Sequence, residues 1–351
     1  MVKKSINKKR YTIATLGSHC SLQVLKGAKD EGFKTLLICE KKRLGLYKRF
    51  NFIDDMIVVE RFNEILGESY QKLFKRTNSI IIPHGTFIAY MSSQQIERIA
   101  APIFGNKWIL RWEADRELKQ KLMEESRLRT PKSIKSKDDI DKLCIVKLHG
   151  AAGGRGYFLV WNKDTFEEGA KKLIKQKMIK SEYDLYIQEY VIGVPIYLQF
   201  FYSPITNELE LMGVDRRYES DVDGIARIPA NQQLSIGLEV SSYNVIGNIP
   251  LVLRESLLEE VYSMGERFVE AAKRLVPPGI TGPFCLEGVY DQEGKFTTFE
   301  FSARIVAGTN LYLDGSPYSA LIFDEPMSMG RRIAYEIKIA DKKGHINKIT
   351  T

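Results

Sequence analysis

No C-x-x-C pair occurs among the four cysteines, Cys20, Cys39, Cys144 and Cys285. Three of them sit in apolar runs (LLIC, LCIV, FCLEG), so they read as buried reduced thiols rather than disulfides or metal ligands. No apolar run approaches the roughly 20 residues that a membrane-spanning helix needs. The basic start, MVKKSINKKR, passes straight into YTIATLG, which is too short and strand-like for a secretory leader and has no small-residue cleavage site after it. These absences lead to the expectation of a cytoplasmic protein that binds no membrane. Internal repeats and low-complexity segments are missing as well. The one strongly glycine-rich loop lacks the Gly-Lys-Ser/Thr ending of a P-loop, and no helix follows it, which excludes a dinucleotide fingerprint.

What is present is a globular composition: 351 residues, 44% hydrophobic and 27% charged, enough for more than one core. The net charge of +8 is spread along the chain, with clusters only at the N-terminus and around Lys171–Lys180. Such spreading fits solvated faces, or a basic pocket for phosphorylated small molecules, better than a nucleic-acid surface. In the N-terminal third, YTIATL, TLLIC, MIVV and SIIIP read as strands, separated by the helical patterns SLQVLKGAKDEG and Phe62–Arg76. That alternation predicts a parallel sheet whose ligands sit beyond the carboxyl ends of the strands. Two such ends run into Gly17-Ser18-His19 and His84-Gly85-Thr86, each an anion site or simply a helix cap or turn. Trp112 to about Arg129 reads as one helix. The last third reads as antiparallel strands plus one long helix, with Leu257, Val261, Met264, Phe268 and Leu275 on its buried face.

Two segments carry chemistry. His149-Gly150-Ala151-Ala152-Gly153-Gly154-Arg155-Gly156 joins strand CIVKL to strand YFLVW, a hairpin whose small residues let backbone N–H groups approach phosphate oxygens. Lys147, two residues earlier, can add a point charge there. In FCLEGVYDQEGKFTTFEFSAR, Asp291–Gly294 reads as a turn. If Tyr290 opposes Lys295, Glu287 opposes Thr298, and Glu300 is its diagonal neighbour at about 7–8 Å. Two such carboxylates can share magnesium ions, Arg304 on the same face can balance phosphate or carboxylate charge, and Leu286, Phe299 and Phe301 fill the other face. An ordinary hairpin with a core face and a wet face has the same pattern.

Basic strand, glycine-rich hairpin, hinge and Glu…Glu hairpin follow one another as in the ATP-grasp superfamily. More narrowly, the chain resembles the archaeal formate-dependent synthetases that make FAICAR from AICAR (5-aminoimidazole-4-carboxamide ribotide). The resemblance rests on IATLGSHCSLQVLKGAKDEGF, IIPHGTFIAY, FGNKWILRWEADR, IVKLHGAAGGRGYF, DRRYESDVDGIARIPA, VIGNIPLVLRESLL, GPFCLEGV and FEFSARIVAGTN. It implies an α/β ATP-grasp fold, α+β in its C-terminal part. A Rossmann-like parallel sheet would occupy residues 1–129, a lid with the glycine loop 130–200, and an antiparallel sheet with the metal site 201–351. It implies ATP, formate and AICAR as substrates, Mg2+ or Mn2+ as cofactor, and a homo-oligomer.

Roles follow by position from the same resemblance. His19, Thr86 (where a serine is frequent) and Asn248 would contact the ribotide. Lys121, Lys147, Gly153, Gly154, Gly156, Gln188, Glu189, Tyr190, Val191 and Glu219 would hold ATP. Glu287 and Glu300 would hold metal, and Arg304 and Lys147 would be catalytic. Ser302 stands where many superfamily members have an asparagine ligand. Two alternatives stay open: a paralogue that binds nucleotide or ribotide without catalysis, and an ATP-grasp ligase for another carboxylate and amine.

Overall fold

The computed structural model describes residues 11–148, 157–233 and 245–351. Strands β1 (Thr12–Leu16), β2 (Lys34–Glu40), β3 (Asp55–Val59) and β4 (Ser79–Ile81) form a parallel sheet in the order β3-β2-β1-β4. β1 is buried at every residue, as a central parallel strand covered on both faces must be. The chain leaves β1 toward β2 on one side and returns as β4 on the other. The crevice where ligands bind therefore opens at the carboxyl ends of β1 and β4. Helix α1 (Ser21–Asp30) follows β1 directly.

The helix read over Trp112–Arg129 is two helices, Ile109–Ala114 and α2 (Arg116–Glu125). Asp115 divides them. Its backbone is extended, and Oδ1 accepts from Glu117 N and Leu118 N at 3.0 Å each, an N-cap that starts a new helix.

A second, antiparallel sheet has the order β5-β8-β6-β7: β5 (Ser133–Ile134), β6 (Cys144–Leu148), β7 (Phe158–Val160) and β8 (Leu185–Glu189). Helix α3 (Lys163–Lys175) covers it with Phe166, Ala170 and Leu173. β6 and β7 pair up to Val146 and Phe158, so the strands flanking the glycine-rich segment form the expected hairpin. Gly153, Gly154 and Gly156 themselves lie outside the described residues.

The third sheet is antiparallel with order β11-β10-β9-β12-β13: β9 (Val194–Ser203), β10 (Glu208–Glu219), β11 (Val245–Pro250), β12 (Gly282–Tyr290) and β13 (Phe296–Ser302). Helix α4 (Leu258–Leu275) buries Val261, Met264 and Phe268 against one face, where Phe268 stacks on Phe284 at 5.4 Å. β9 already belongs to this sheet, so the change of sheet falls between Glu189 and Val194, before residue 200.

One helix was not anticipated. α5 (Met329–Lys343) returns to the N-terminal sheet and buries Ile333, Ala334 and Ile337 in the core that holds Ile13 and Val24. The chain end follows it, with Ile103 and Thr351 exchanging backbone hydrogen bonds of 3.0 and 2.9 Å. The segment 201–351 is thus not self-contained.

Candidate active site

The β12–β13 hairpin differs in register from the sequence expectation. Tyr290 pairs with Phe296, Gly288 with Thr298, and Glu287 with Glu300. The turn reaches one residue further than expected because Asp291 Oδ1 accepts from Glu293 N at 3.1 Å and Lys295 N at 2.9 Å. A β-bulge at Phe299 then absorbs an extra residue. The two carboxylates stand directly opposite rather than diagonal, which brings their Cβ atoms to about 4.5–5.5 Å. Phe299 does not join Leu286 and Phe301 in the core. It packs with Tyr197, Cys285 and Val306, and the Lys147 ammonium lies 5.7 Å from its ring centre.

Both carboxylates are already partnered. Glu287 is 3% exposed and accepts from Arg217 Nη2 at 2.6 Å and from Ser302 Oγ at 2.9 Å. Ser302 therefore braces Glu287. Glu300 is bonded by Lys119 Nζ from α2. Burial pushes the Glu300 carboxyl up, but Lys119, then Arg217 and Lys147, outweigh it and hold the pKa at about 2. Among the described residues no group of three or more His, Cys, Asp or Glu is arranged to hold a metal. Glu287 and Glu300 are a two-carboxylate set, suited to a divalent cation that brings phosphate oxygens as its remaining ligands.

Lys147, near the end of β6, donates to Gln188 Oε1 at 2.9 Å, so two residues expected to hold ATP, one on β6 and one on β8, are in contact. Burial, with Arg116 and Lys119 and against Glu300, lowers its pKa to about 8. The Glu189 side chain accepts from Lys142 Nζ at 2.7 Å and from the Lys132 backbone N–H at 3.3 Å. Glu219 ends β10, and its charge helps to raise the Tyr190 pKa after burial, so the two lie near each other. A cavity of about 510 Å3 beside Glu189, Tyr190 and Val191 reaches the Asp291 turn but not Glu287 or Glu300. Side-chain clustering, not cavity size, locates the chemistry.

At the parallel-sheet end, His19 has φ +46° in the loop after β1. Its ring approaches Gly85 so closely that a Cβ there would lie 3.1 Å from Nε2 and 3.5 Å from Arg304 Nη2. His19 and Arg304 therefore converge on the start of the Gly85–Tyr90 helix. Part of His19 is exposed, yet desolvation of the ring, then Arg304 and Arg43, lower its pKa to about 4. His84 is fully buried. Its Nε2 contacts Leu16 O at 2.8 Å and its Nδ1 accepts from Thr86 N at 3.3 Å, tying the ends of β1 and β4 together. The Thr86 hydroxyl is buried and has no hydrogen-bond partner among the described residues. Arg304 is held by Glu113, whose Oε1 accepts from Nη2 at 2.8 Å and whose Oε2 accepts from Ala303 N at 2.8 Å. Asn248, on edge strand β11, donates to Asp215 Oδ2 at 2.7 Å.

Lys121, expected to hold ATP, is exposed, whereas Lys119 on the opposite side of α2 reaches Glu300. The signal was readable, since Lys119, Leu122, Met123 and Ser126 share one helical stripe and Lys121 does not. Arg217 and Asp215 were also missed. They alternate with Glu219 on one face of β10, so choosing Glu219 pointed to both. Glu113 had no local signal beyond the motif that contains it, whereas His84 lies in a strand-end loop that the sequence already marked.

Two family models match, one described as a domain of unknown function (DUF1297) over residues 165–351 and one as a protein of unknown function (DUF1246) over residues 13–134. The chain is 60% identical over 340 residues to the 5-formaminoimidazole-4-carboxamide-1-(beta)-D-ribofuranosyl 5'-monophosphate synthetase of Nitrosopumilus maritimus, covering 97% of this chain and 99% of that protein. It is 48% identical over 346 residues to the protein of the same name from Methanocaldococcus jannaschii, covering 98% and 96%. The crystal structure of an IMP biosynthesis protein PurP from Thermococcus kodakaraensis matches with a TM-score of 0.77 at 34% identity, over 97% of this chain and 100% of that one. An ADP complex of N5-carboxyaminoimidazole ribonucleotide synthetase matches in fold, with a TM-score of 0.66 at 11% identity, over 92% and 75%. With the ATP-grasp fold and with relatives of this identity along nearly its whole length, the chain belongs to the 5-formaminoimidazole-4-carboxamide-1-(beta)-D-ribofuranosyl 5'-monophosphate synthetase family.

Proposed function

We propose that this protein uses ATP to join formate to the 5-amino group of AICAR, giving FAICAR, ADP and phosphate in purine biosynthesis. One observation carries the reading beyond family membership. Arg304, two residues past Ser302 at the end of β13, meets His19 over Gly85. The hairpin that bears Glu287 and Glu300 and the loop that bears His19 are thereby joined at one guanidinium.

Formate is a poor acyl donor because hydroxide leaves badly. Transfer of the ATP γ-phosphoryl group to a formate oxygen gives formyl phosphate and ADP. The AICAR amine then attacks the formyl carbon, the carbon–oxygen bond to phosphate breaks, and the amine proton is lost. Lys147 and the segment 149–156 grip phosphates, and the peptides of Gln188 to Val191, with Glu219, hold the nucleotide. Arg304, held by Glu113, offsets negative charge at the transferring group. Magnesium, or manganese, entering with ATP would be held by Glu287 and Glu300 and would neutralise phosphate charge. His19, Thr86 and Asn248 orient the ribotide, which matters because conjugation weakens its amine. The lid, the small sheet β5–β8 with α3 and its glycine-rich segment, closes over the mixed anhydride to keep out water. The protein works as a cytoplasmic homo-oligomer.

The test is ADP release with formate and AICAR added singly and together, followed by one turnover with oxygen-18 formate. FAICAR and labelled phosphate are expected. FAICAR made from formyl-tetrahydrofolate but not from ATP and formate would overturn the proposal.

A further inference from the structure

Beneath Asn248 lies a buried carboxylate that the reaction above does not use. Asp215 on β10 is 1% exposed. Its Oδ1 accepts from Gln199 Nε2 of β9 at 2.6 Å, and its Oδ2 accepts from Asn248 Nδ2 of β11 at 2.7 Å. The neighbouring strands are in register for this, Asp215 facing Tyr197 and Pro250, with Arg217 facing Asn248. A third element closes the arrangement. The backbone at Gly308 lies so near that a Cβ there would sit 2.3 Å from Asp215 Oδ1. The carboxylate is thus pinned from β9, from β11 and from the loop after β13.

An ionised carboxylate only accepts hydrogen bonds, so both amides must turn their NH2 groups toward it. The side-chain amide of Asn248 then has one orientation, with Nδ2 on Asp215 and Oδ1 facing away. Asn248 is half-buried, and Oδ1 has no hydrogen-bond partner among the described residues. Burial raises the Asp215 pKa to about 6 against the pull of Gln199, Asn248 and Arg217, which leaves the carboxylate form dominant at neutral pH. An oxygen held in this way repels phosphate oxygens and attracts N–H or O–H groups.

We propose that Asp215 is a positioning residue that makes Asn248 an obligate hydrogen-bond acceptor, so that this side chain reads an N–H or hydroxyl donor of the ribotide and not its phosphate. The inference rests on Asn248 lying in the ribotide site as proposed above. Gly308 is part of the device, because any larger residue would push the carboxylate off its two amides.

The first experiment is a double-mutant cycle on KM for AICAR and KM for ATP in the full-length protein. Asn248→Ala and Asp215→Asn should each raise KM for AICAR about ten-fold, because the new amide at position 215 offers one acceptor where two are needed. The pair together should cost little more than Asn248→Ala alone. KM for ATP should hold, which a general loss of folding would not allow. Gly308→Ala should reproduce the Asp215→Asn phenotype. An unchanged KM for AICAR in Asn248→Ala would sink the ribotide-site placement and this inference together. A raised KM in Asn248→Ala with additive or absent effects from Asp215→Asn would sink this inference alone.

The second experiment needs no change at Asp215. AICAR analogues, each lacking one N–H or hydroxyl donor, and one lacking the phosphate, are titrated against the wild type and Asn248→Ala. One donor-lacking analogue should bind the wild type about ten-fold more weakly than AICAR, yet bind Asn248→Ala as AICAR does. If only the phosphate-free analogue behaves in this way, or none does, the acceptor assignment is wrong.

Discussion

Around Glu287 and Glu300 each carboxylate already holds a cation, whereas around His19 and His84 burial keeps both imidazoles neutral. On the hairpin side, two carboxylates face Lys119, Arg217 and Lys147, an excess of one positive charge before anything binds. Such a cluster suits an anionic nucleotide, whose phosphates and accompanying cation exchange partners with charges already in place. The parallel-sheet side presents strand ends, a buried histidine and uncharged donors and acceptors, a surface suited to the neutral ring and hydroxyls of the proposed ribotide. Arg304 is a strong charge shared by both. The two sides should respond differently to mutation and to pH.

The largest expected effect is on the hairpin. Glu300→Gln should lower turnover on the order of 10²–10³-fold with the fold intact, because it removes a charged ligand and leaves the core untouched. The check is kcat at saturating magnesium together with thermal melting. Near-normal turnover would reduce Glu300 to a wet sheet residue and erase the contrast between the two regions.

The next effect is a pH dependence confined to ATP. Lys147 is cationic below about pH 8 and loses its proton above it. If the ammonium grips phosphate, KM for ATP should rise about five-fold between pH 8 and pH 9, with KM for AICAR flat over the same interval. Lys147→Arg should flatten the ATP profile. A flat profile in the wild type would remove Lys147 from the phosphate grip.

A smaller effect belongs to the other side and to stability. His84 has its pKa lowered from 6.5 to about 3, first by burial and then by His19 and Arg304, against the raising effect of its bond to Leu16. The unfolded chain takes up this proton below about pH 6.5, while the folded chain resists until about pH 3. Stability is therefore lost as pH falls through that window, by up to about 1.4 kcal/mol per pH unit. Urea denaturation at pH 7, 6 and 5 should give a shallower fall for His84→Gln than for the wild type. Equal slopes would mean that His84 is protonated in the folded protein.

Much of this contrast was legible in the chain itself, and what escaped did so for identifiable reasons. The parallel strands, the β6–β7 hairpin and helix α4 follow from periodicity, because burial on one or both faces leaves a repeating pattern. Glu287 and Glu300 were singled out, but their register was two residues off, since the reach of Asp291 into the turn shifts the pairing by one and the bulge at Phe299 by one more, both settled by backbone hydrogen bonds. Asp115 divided a pattern that looked continuous, because a capping carboxylate resembles any other acidic residue on a helix surface. Lys121 was named by position from the resemblance, and the helical stripe that turns Lys119 inward was not part of that reading. Asp215 was passed over for a different reason. Its meaning comes from Gln199, Asn248 and Gly308, brought together from β9, β11 and the loop after β13 only by the sheet.

The smallest expected effect sharpens the comparison most. His19→Ala should raise KM for AICAR by about two- to ten-fold, the value of one hydrogen bond to a neutral group, and leave KM for ATP as it was. With its pKa at about 4, the ring is neutral from pH 8 down to pH 5.5, so the AICAR penalty should be the same at both ends of that range. A histidine that gripped the ribotide phosphate as a cation would behave otherwise. Its contribution would grow as pH fell, and the mutant penalty would widen below pH 6.5. Equal weakening of ATP would place His19 on the nucleotide side, across Arg304 from where its loop leaves β1. A penalty on AICAR that widens with acid would keep the location and overturn the neutral plan, because burial, Arg304 and Arg43 would then fail to hold the imidazole uncharged once phosphate is beside it. Measuring both KM values at pH 5.5, 6.5 and 8 for wild type and His19→Ala separates these outcomes in one set of titrations.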